Sequence, residues 1–251
     1  MQATTAEKVL PVGPAYGLHI FNELAGGVDI LRFVFSPEFR GIGLPHGDGA
    51  GVILVPGFMG SKALILYEIV DLWLRRIDYD TFHCGFGWND DCPNRLTERL
   101  CAAIDRAFVI TGRPVHLLGH SLGATLARVA AQRRPGRVAT LISGAGTIRG
   151  ARVHPAVHLW AEIIMPAECI EGCNCTFRLA LLQGGPPKIP RLALYTLKDN
   201  VMMHQDCLEE EGGQNVQIDA ARHISILTNP ESAREIARFL AEHPAKKIAI
   251  A

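Results

Sequence analysis

Val115-His-Leu-Leu-Gly-His-Ser-Leu-Gly-Ala-Thr-Leu-Ala-Arg-Val-Ala-Ala-Gln132 decides the fold of this chain. Val115 to Leu118 is a short apolar run suited to a buried strand, and from Leu122 onward alanine and leucine recur at helical spacing. The residue between them, Ser121, must turn sharply. Gly119 and Gly123 on either side carry no side chain, so the backbone can fold back tightly there. The pattern G-x-S-x-G therefore reads as a nucleophile elbow, a strand-to-helix turn that lifts a serine hydroxyl above the sheet. Five residues of this kind also arise by chance, so the surroundings must decide.

Working outward, Gly51–Val55 is an all-apolar run that ends at Pro56-Gly57-Phe58-Met59-Gly60, as expected of a parallel strand covered on both faces. Helical periodicity follows from Ala63 to Arg75, a strand of mixed character spans Tyr79 to Cys84, and Gly85 to Pro93 forms a loop. Arg95 to Val109 is amphipathic. Val138 to Ile142, Arg191 to Thr196 and Asn215 to Ile218 read as further strands, and Pro230 to His243 as a closing helix. The alternation of strand and helix predicts a mostly parallel, doubly wound sheet of about six strands in an α/β domain. Residues 149–190 break the rhythm and read as a small cap inserted into it.

Length and charge set the outer limits. A chain of 251 residues can bury a full core, and an α/β chain of this length usually makes one domain, here 1–251. Lysine plus arginine (25) equals aspartate plus glutamate (25), so no basic field invites nucleic acid. No apolar run approaches the roughly 20 residues of a membrane span. Met1-Gln-Ala-Thr-Thr-Ala-Glu-Lys8 does not have the form of a secretory leader, which points to a cytoplasmic protein. The seven cysteines keep open a secreted mature form that has lost its leader.

Between Tyr16 and Phe35, Leu18, Phe21, Ala25, Val28, Leu31 and Phe35 recur every three or four residues, interrupted by Gly26-Gly27. This predicts an amphipathic helix whose apolar face covers the sheet; contact with a membrane surface or a second copy through 16–35 is the other reading. Cys169, Cys173 and Cys175 with Cys207 lack the usual spacing of a zinc site, so no metal is expected. A disulfide from the cap to Cys207 suits an oxidising compartment, and buried thiols suit a reducing one. His154 and His158 share a helical face without a carboxylate partner and read as exposed cap residues.

A serine acts as a nucleophile only with a base to take its proton and an acid to orient that base. Of the ten histidines, His223 lies after the last strand and before the closing helix, the order serine, acid, histidine of such folds. His120 points elsewhere from the elbow, His116 sits in a strand, His204 follows its nearest strand too closely, and the rest lie too early, in the cap, or at the final helix end. Asp199 follows the strand Arg191 to Thr196 at the sheet edge that gathers functional groups. Asp206 and Asp219 are its rivals, and a plain turn residue is its other reading. Two backbone donors are needed for the tetrahedral oxyanion; Leu122 N–H and Phe58 N–H are the candidates. Trp88 in the glycine-rich loop, with Trp160, Ile164 and Met165 in the cap, are candidate substrate contacts, joined by Phe86 and Ile163.

With these pieces in place the chain resembles the α/β-hydrolase superfamily, and within it bacterial esterase and lipase-like members with a Pro-Gly-Phe oxyanion loop. The resemblance rests on Val52-Ile-Leu-Val-Pro-Gly-Phe-Met-Gly-Ser61, Gly119-His-Ser-Leu-Gly123, Tyr195-Thr-Leu-Lys-Asp-Asn-Val201 and Arg222-His-Ile-Ser-Ile226. Pro56 stands where many members have histidine, and Arg222 where glycine commonly precedes the histidine. It implies the α/β-hydrolase fold and a serine hydrolase of carboxylic esters with Ser121, Asp199 and His223 as triad and no cofactor. The substrate would be a small hydrophobic ester. Acyl transfer to an alcohol, thioester or lactone cleavage, and a non-catalytic binding protein of the same fold are the alternatives.

Overall fold

A computed structural model describes residues 14–60, 65–148, 153–164, 176–210 and 212–247. Six strands form one sheet: β1 Gly51–Val55, β2 Asp80–His83, β3 Val115–His120, β4 Val138–Gly144, β5 Arg191–Tyr195 and β6 Gln214–Gln217. Every pairing is parallel and the order is β2-β1-β3-β4-β5-β6. The helices are α1 Gly26–Val34, α2 Ile65–Arg76, α3 Pro93–Thr111, α4 Leu122–Arg133, α5 Pro155–Ile164, α6 Thr176–Gln183 and α7 Pro230–Glu242, with 3-10 helices at Pro14–Ala25, Glu38–Arg40 and His204–Cys207. These bounds follow the sequence expectation closely, including the mixed burial of the edge strand β2.

The apolar runs are continuous because the central strands are covered on both faces. Val52 and Leu54 of β1 pack in a layer with Trp73 and Leu74 of α2 and Ile236, Phe239 and Leu240 of α7. Ile53 and Val55 face the other way, against Leu96, Leu100 and Ile104 of α3 and Leu126 and Val129 of α4. Alternation along a strand thus feeds two separate core layers. Strand order reverses between β1 and β3, and in an open parallel sheet the crevice at the carboxyl ends beside such a reversal is where ligands sit. Gly57 and Ser121 lie at the carboxyl ends of those two strands.

The N-terminal segment departs from the expectation. A 3-10 helix runs to Ala25 and the α-helix begins only at Gly26. Phe21, Leu24, Val28, Leu31 and Phe35 are each more than half exposed, so the stripe expected to cover the sheet faces outward. Glu23, Gly26, Asp29 and Phe33 are buried in its place. The physical reason is that the two carboxylates find donors on the protein body, Asn200 and Ile224 for Glu23 and Arg222 and Ser225 for Asp29. Apolar spacing alone does not weigh buried carboxylates that are hydrogen-bonded.

A buried ion cluster ties α4 to β5 and to the segment before β6. Arg128 Nη1 lies 3.0 Å from both Glu209 oxygens, and Arg191 Nε donates to Glu209 Oε2 at 2.9 Å. Glu209 is held in turn by Asn215, whose Oδ1 accepts from its backbone N–H at 2.7 Å. Removing one member of such a cluster strands charge in the interior. Glu209→Ala is expected to lower unfolding free energy by about 3–5 kcal/mol in urea titrations. A loss under about 1 kcal/mol would mean that the guanidinium groups reach water or another acid.

Among the described residues Cys84, Cys101 and Cys207 are buried free thiols. Burial raises the Cys84 thiol to about 11. Cys169, Cys173, Cys175 and Met165 lie outside the described residues, as does part of the segment read as a cap. No described helix is long and apolar enough to cross a membrane, and no described cluster of His, Cys, Asp or Glu could hold a metal ion.

Candidate active site

Ser121 sits between β3 and α4 with φ 53° and ψ −126°, a conformation that a side-chain-bearing residue adopts only under constraint. The constraint is visible on both sides. Its N–H donates to Gly144 O at 2.9 Å, which continues the β3–β4 ladder, and its carbonyl accepts from Ala124 N–H at 3.0 Å, which starts the helix. A Cβ on Gly119 would lie 2.5 Å from Ala124 Cα, and one on Gly123 would lie 2.2 Å from Val55 O. The two glycines are thus required for separate reasons, one by the helix and one by β1.

Asp199 and His223 meet across a gap of 24 residues. His223 Nδ1–H donates to Asp199 Oδ2 at 2.8 Å, and both side chains are almost wholly buried. The second carboxylate oxygen, Oδ1, accepts from the N–H groups of Val201 at 2.8 Å and Met202 at 2.7 Å, so the acid cannot rotate away. Burial by itself pushes the His223 imidazole down; the Asp199 carboxylate, by charge and by hydrogen bond, together with Glu23, brings it above the ordinary 6.5. The rivals are placed elsewhere. Asp206 lies in the 3-10 helix His204–Cys207, and Asp219 Oδ1 accepts from Gln217 Nε2 at 2.5 Å.

His120 has a bracing part that its position in the sequence does not reveal. One ring nitrogen, Nε2, lies 2.9 Å from the His223 carbonyl and the other, Nδ1, lies 3.1 Å from the Tyr67 hydroxyl, which accepts from Gly57 N–H at 2.8 Å. A carbonyl only accepts, so Nε2 carries the proton; Nδ1 then accepts from Tyr67 O–H. Burial, with the His223 ring beside it, lowers His120 to about 3, so the ring stays neutral and the assignment holds near neutral pH. A continuous chain of hydrogen bonds therefore links the loop after β1 to the histidine loop. Spacing could not reveal Tyr67, which lies 53 residues from His120.

The loop Pro56 to Gly60 is pinned from the other side by Asn89. Its Nδ2 donates to Pro56 O at 2.7 Å, its carbonyl accepts from Met59 N–H at 3.2 Å, and its N–H donates to Gly60 O at 3.1 Å. Gly57 brings this loop against the elbow, where an added Cβ would lie 3.0 Å from Ser121 Cβ. Leu122 N–H belongs to the first turn of α4 and so lacks a partner within its helix. Phe58 N–H lies on the facing loop. No backbone acceptor among the described residues takes either group.

The candidate substrate contacts are placed unevenly. Phe86 is buried and lines a cavity of about 240 Å³ with Leu54, Pro56, Tyr67 and Cys84, whereas Trp88 is exposed on the same loop. Trp160 and Ile163 are exposed on α5 and Ile164 is partly buried. His154 is buried just before that helix, contrary to its reading as an exposed residue, and its Nδ1 accepts from Ala156 N–H at 3.1 Å.

No protein-family model matches the chain, and no curated protein matches it by sequence. Solved structures do. The chain is similar to a structure reported for the metagenome-derived lipolytic enzymes LipS and LipT, with a TM-score of 0.59 at 16% identity, covering 80% of this chain and 96% of that one. It is similar to a lipase-esterase related protein from Clostridium acetobutylicum, TM-score 0.58 at 15% identity over 77% of this chain and 97% of that one. A third likeness is to α/β hydrolase domain-containing protein 10 from mouse, TM-score 0.58 at 16% identity over 78% and 90%. The six-stranded parallel sheet flanked by helices is the α/β-hydrolase fold.

Proposed function

We propose that the protein is a serine hydrolase that cleaves carboxylic esters through an acyl-enzyme on Ser121. The observation that carries this reading is the 2.8 Å bond from His223 to a doubly anchored Asp199, on the sheet edge that also holds a serine in the strained elbow conformation. In the first half-reaction His223 Nε2 takes the Ser121 proton as Oγ bonds to the ester carbonyl carbon. The negative charge moves to the carbonyl oxygen, facing Phe58 and Leu122 N–H. The ester C–O bond then breaks and the imidazolium returns its proton to the leaving alcohol. Water repeats the sequence, releasing the acid and restoring the serine.

The segment 149–190 is read as a cap, and the exposed Trp160 and Ile163 beside Ile164 favour a hydrophobic acyl group. The similarity to lipolytic enzymes points the same way. An apolar surround also slows water relative to an alcohol, so acyl transfer is the second reading. Comparing p-nitrophenyl esters of increasing acyl length, with and without added alcohol, separates the two: transfer shows as new ester at the expense of free acid.

A fluorophosphonate probe tests the central claim. The folded protein is expected to be labelled at Ser121, and absence of labelling would refute the serine-hydrolase reading. The pH dependence gives a further check. A general base works only when neutral, and His223 is held above 6.5 by Asp199, so it is protonated and inactive below that raised value. Labelling is expected to fall as pH drops, with the midpoint of the acid limb above 6.5. A midpoint below 6.5 would mean that the Asp199 pair does not govern the base.

A further inference from the structure

Glu23 is a buried carboxylate that the mechanism above does not use, and it accepts hydrogen bonds from the two loops that carry the proposed acid and base. Its Oε1 accepts from Asn200 N–H at 3.0 Å and from Asn200 Nδ2 at 3.1 Å; its Oε2 accepts from Ile224 N–H at 3.2 Å. Asn200 follows the acid Asp199, and Ile224 follows the base His223. One side chain thus closes a bridge between two loops that the backbone joins only through β6.

The rest of the N-terminal segment supports the same bridge. A Cβ on Gly26 would lie 2.6 Å from Ile224 Cγ1, so the start of α1 packs directly against the histidine loop and a larger residue there would have to displace the Ile224 side chain. Asp29 Oδ2 accepts from Arg222 Nη1 at 2.7 Å and from Ser225 Oγ at 3.0 Å, fixing the residues on either side. The charged and titratable groups around His223 are Asp199 from the loop after β5, Glu23 from the N-terminal 3-10 helix, the neutral His120 at the end of β3, and the Arg222–Asp29 pair next in chain. Of these, Glu23 is the negative charge besides Asp199 that acts on the His223 ring.

We propose that Glu23 is a positioning residue that fixes the acid turn and the histidine loop against each other and holds the charge of the His223 imidazolium during turnover. The inference rests on the serine-hydrolase reading. A neutral glutamine at this position must either set an N–H against the Ile224 N–H or turn its amide toward Asn200, losing a bond and the charge in both cases. A 1 Å misplacement of a catalytic group can cost about 100-fold in rate, so the register of these loops matters as much as their chemistry.

The test is the rate of Ser121 labelling by a fluorophosphonate as a function of pH, for the natural chain and for Glu23→Gln, Glu23→Ala, Glu23→Asp and Ser121→Ala, each corrected for its folded fraction by thermal unfolding. Glu23→Gln is expected to move the acid-limb midpoint to lower pH. Glu23→Ala is expected to do the same and to cut the plateau rate by about 10- to 100-fold. Glu23→Asp keeps the charge and shortens the reach, so its midpoint stays nearer that of the natural chain while the plateau falls. Lower unfolding temperatures with unmoved midpoints and plateaus would reduce Glu23 to a structural cross-link and overturn the proposal alone. A natural chain that is not labelled, or labelling that survives Ser121→Ala, would overturn the hydrolase reading and this proposal with it.

Discussion

Ser121→Ala is expected to lower kcat for a p-nitrophenyl ester by on the order of 10⁶-fold while leaving the urea midpoint close to that of the natural chain. The two halves of this expectation have separate grounds. The Ser121 side chain makes no capping bond to α4, so the fold loses little when it is removed. The chemistry loses its acyl acceptor outright. His223→Ala is expected to be nearly as damaging, because an unassisted serine hydroxyl is a weak nucleophile at neutral pH, and the double variant no worse than either alone. That non-additivity is the signature of groups that act as one unit. A Ser121→Ala variant that keeps activity within tenfold of the natural chain would place the reaction elsewhere.

The elements of the sheet were readable from the sequence because burial on both faces demands uninterrupted apolar runs, and Gly51–Val55 and Val115–Leu118 have them. The elbow was readable because its glycines are imposed by backbone contacts that no side chain could relieve. The choice of Asp199 rests on its place after a strand at the functional sheet edge and that of His223 on chain order, and the structure brings the two to 2.8 Å. What escaped the sequence is what depends on distant partners. Tyr67, Asn89 and His120 are tied to the site by hydrogen bonds that include Tyr67 to His120, Asn89 to Pro56 and His120 to His223, spanning 53, 33 and 103 residues. Arg222, a departure from the glycine common in the resembled family, is accounted for by Asp29, 193 residues away.

The N-terminal segment teaches the opposite lesson about periodicity. Its apolar stripe is regular enough to assign a covered face, and that assignment fails because buried carboxylates are tolerated where they are hydrogen-bonded. Glu23 and Asp29 meet that condition through the loops around Asp199 and His223, which are distant from them in sequence. The signal left in the sequence is slight: two acids six residues apart, with Gly26 between them, where a helix face would ordinarily carry apolar residues.

Gly123→Ala is expected to be severely damaging although it adds a single methyl. The new Cβ would lie 2.2 Å from Val55 O, 2.4 Å from Pro56 O and 2.7 Å from Val55 C, and all three are backbone atoms that cannot swing aside. Either the start of α4 or the end of β1 must move. Those are the places that carry the Leu122 and Phe58 N–H groups, so relief of the clash separates the two donors proposed for the oxyanion. The variant is expected to lose more than about 4 kcal/mol of stability in urea titrations. Any folded fraction is expected to lose a further 10²–10³ or so in kcat, the usual cost of one misplaced oxyanion donor. Gly27→Ala is the matched control: nothing lies within 4 Å of its added Cβ, and it sits in α1, where alanine is the better helix former by up to about 1 kcal/mol. Equal urea midpoints and equal rates for these two variants would show that the close approach of β1 to the elbow does not hold the site together.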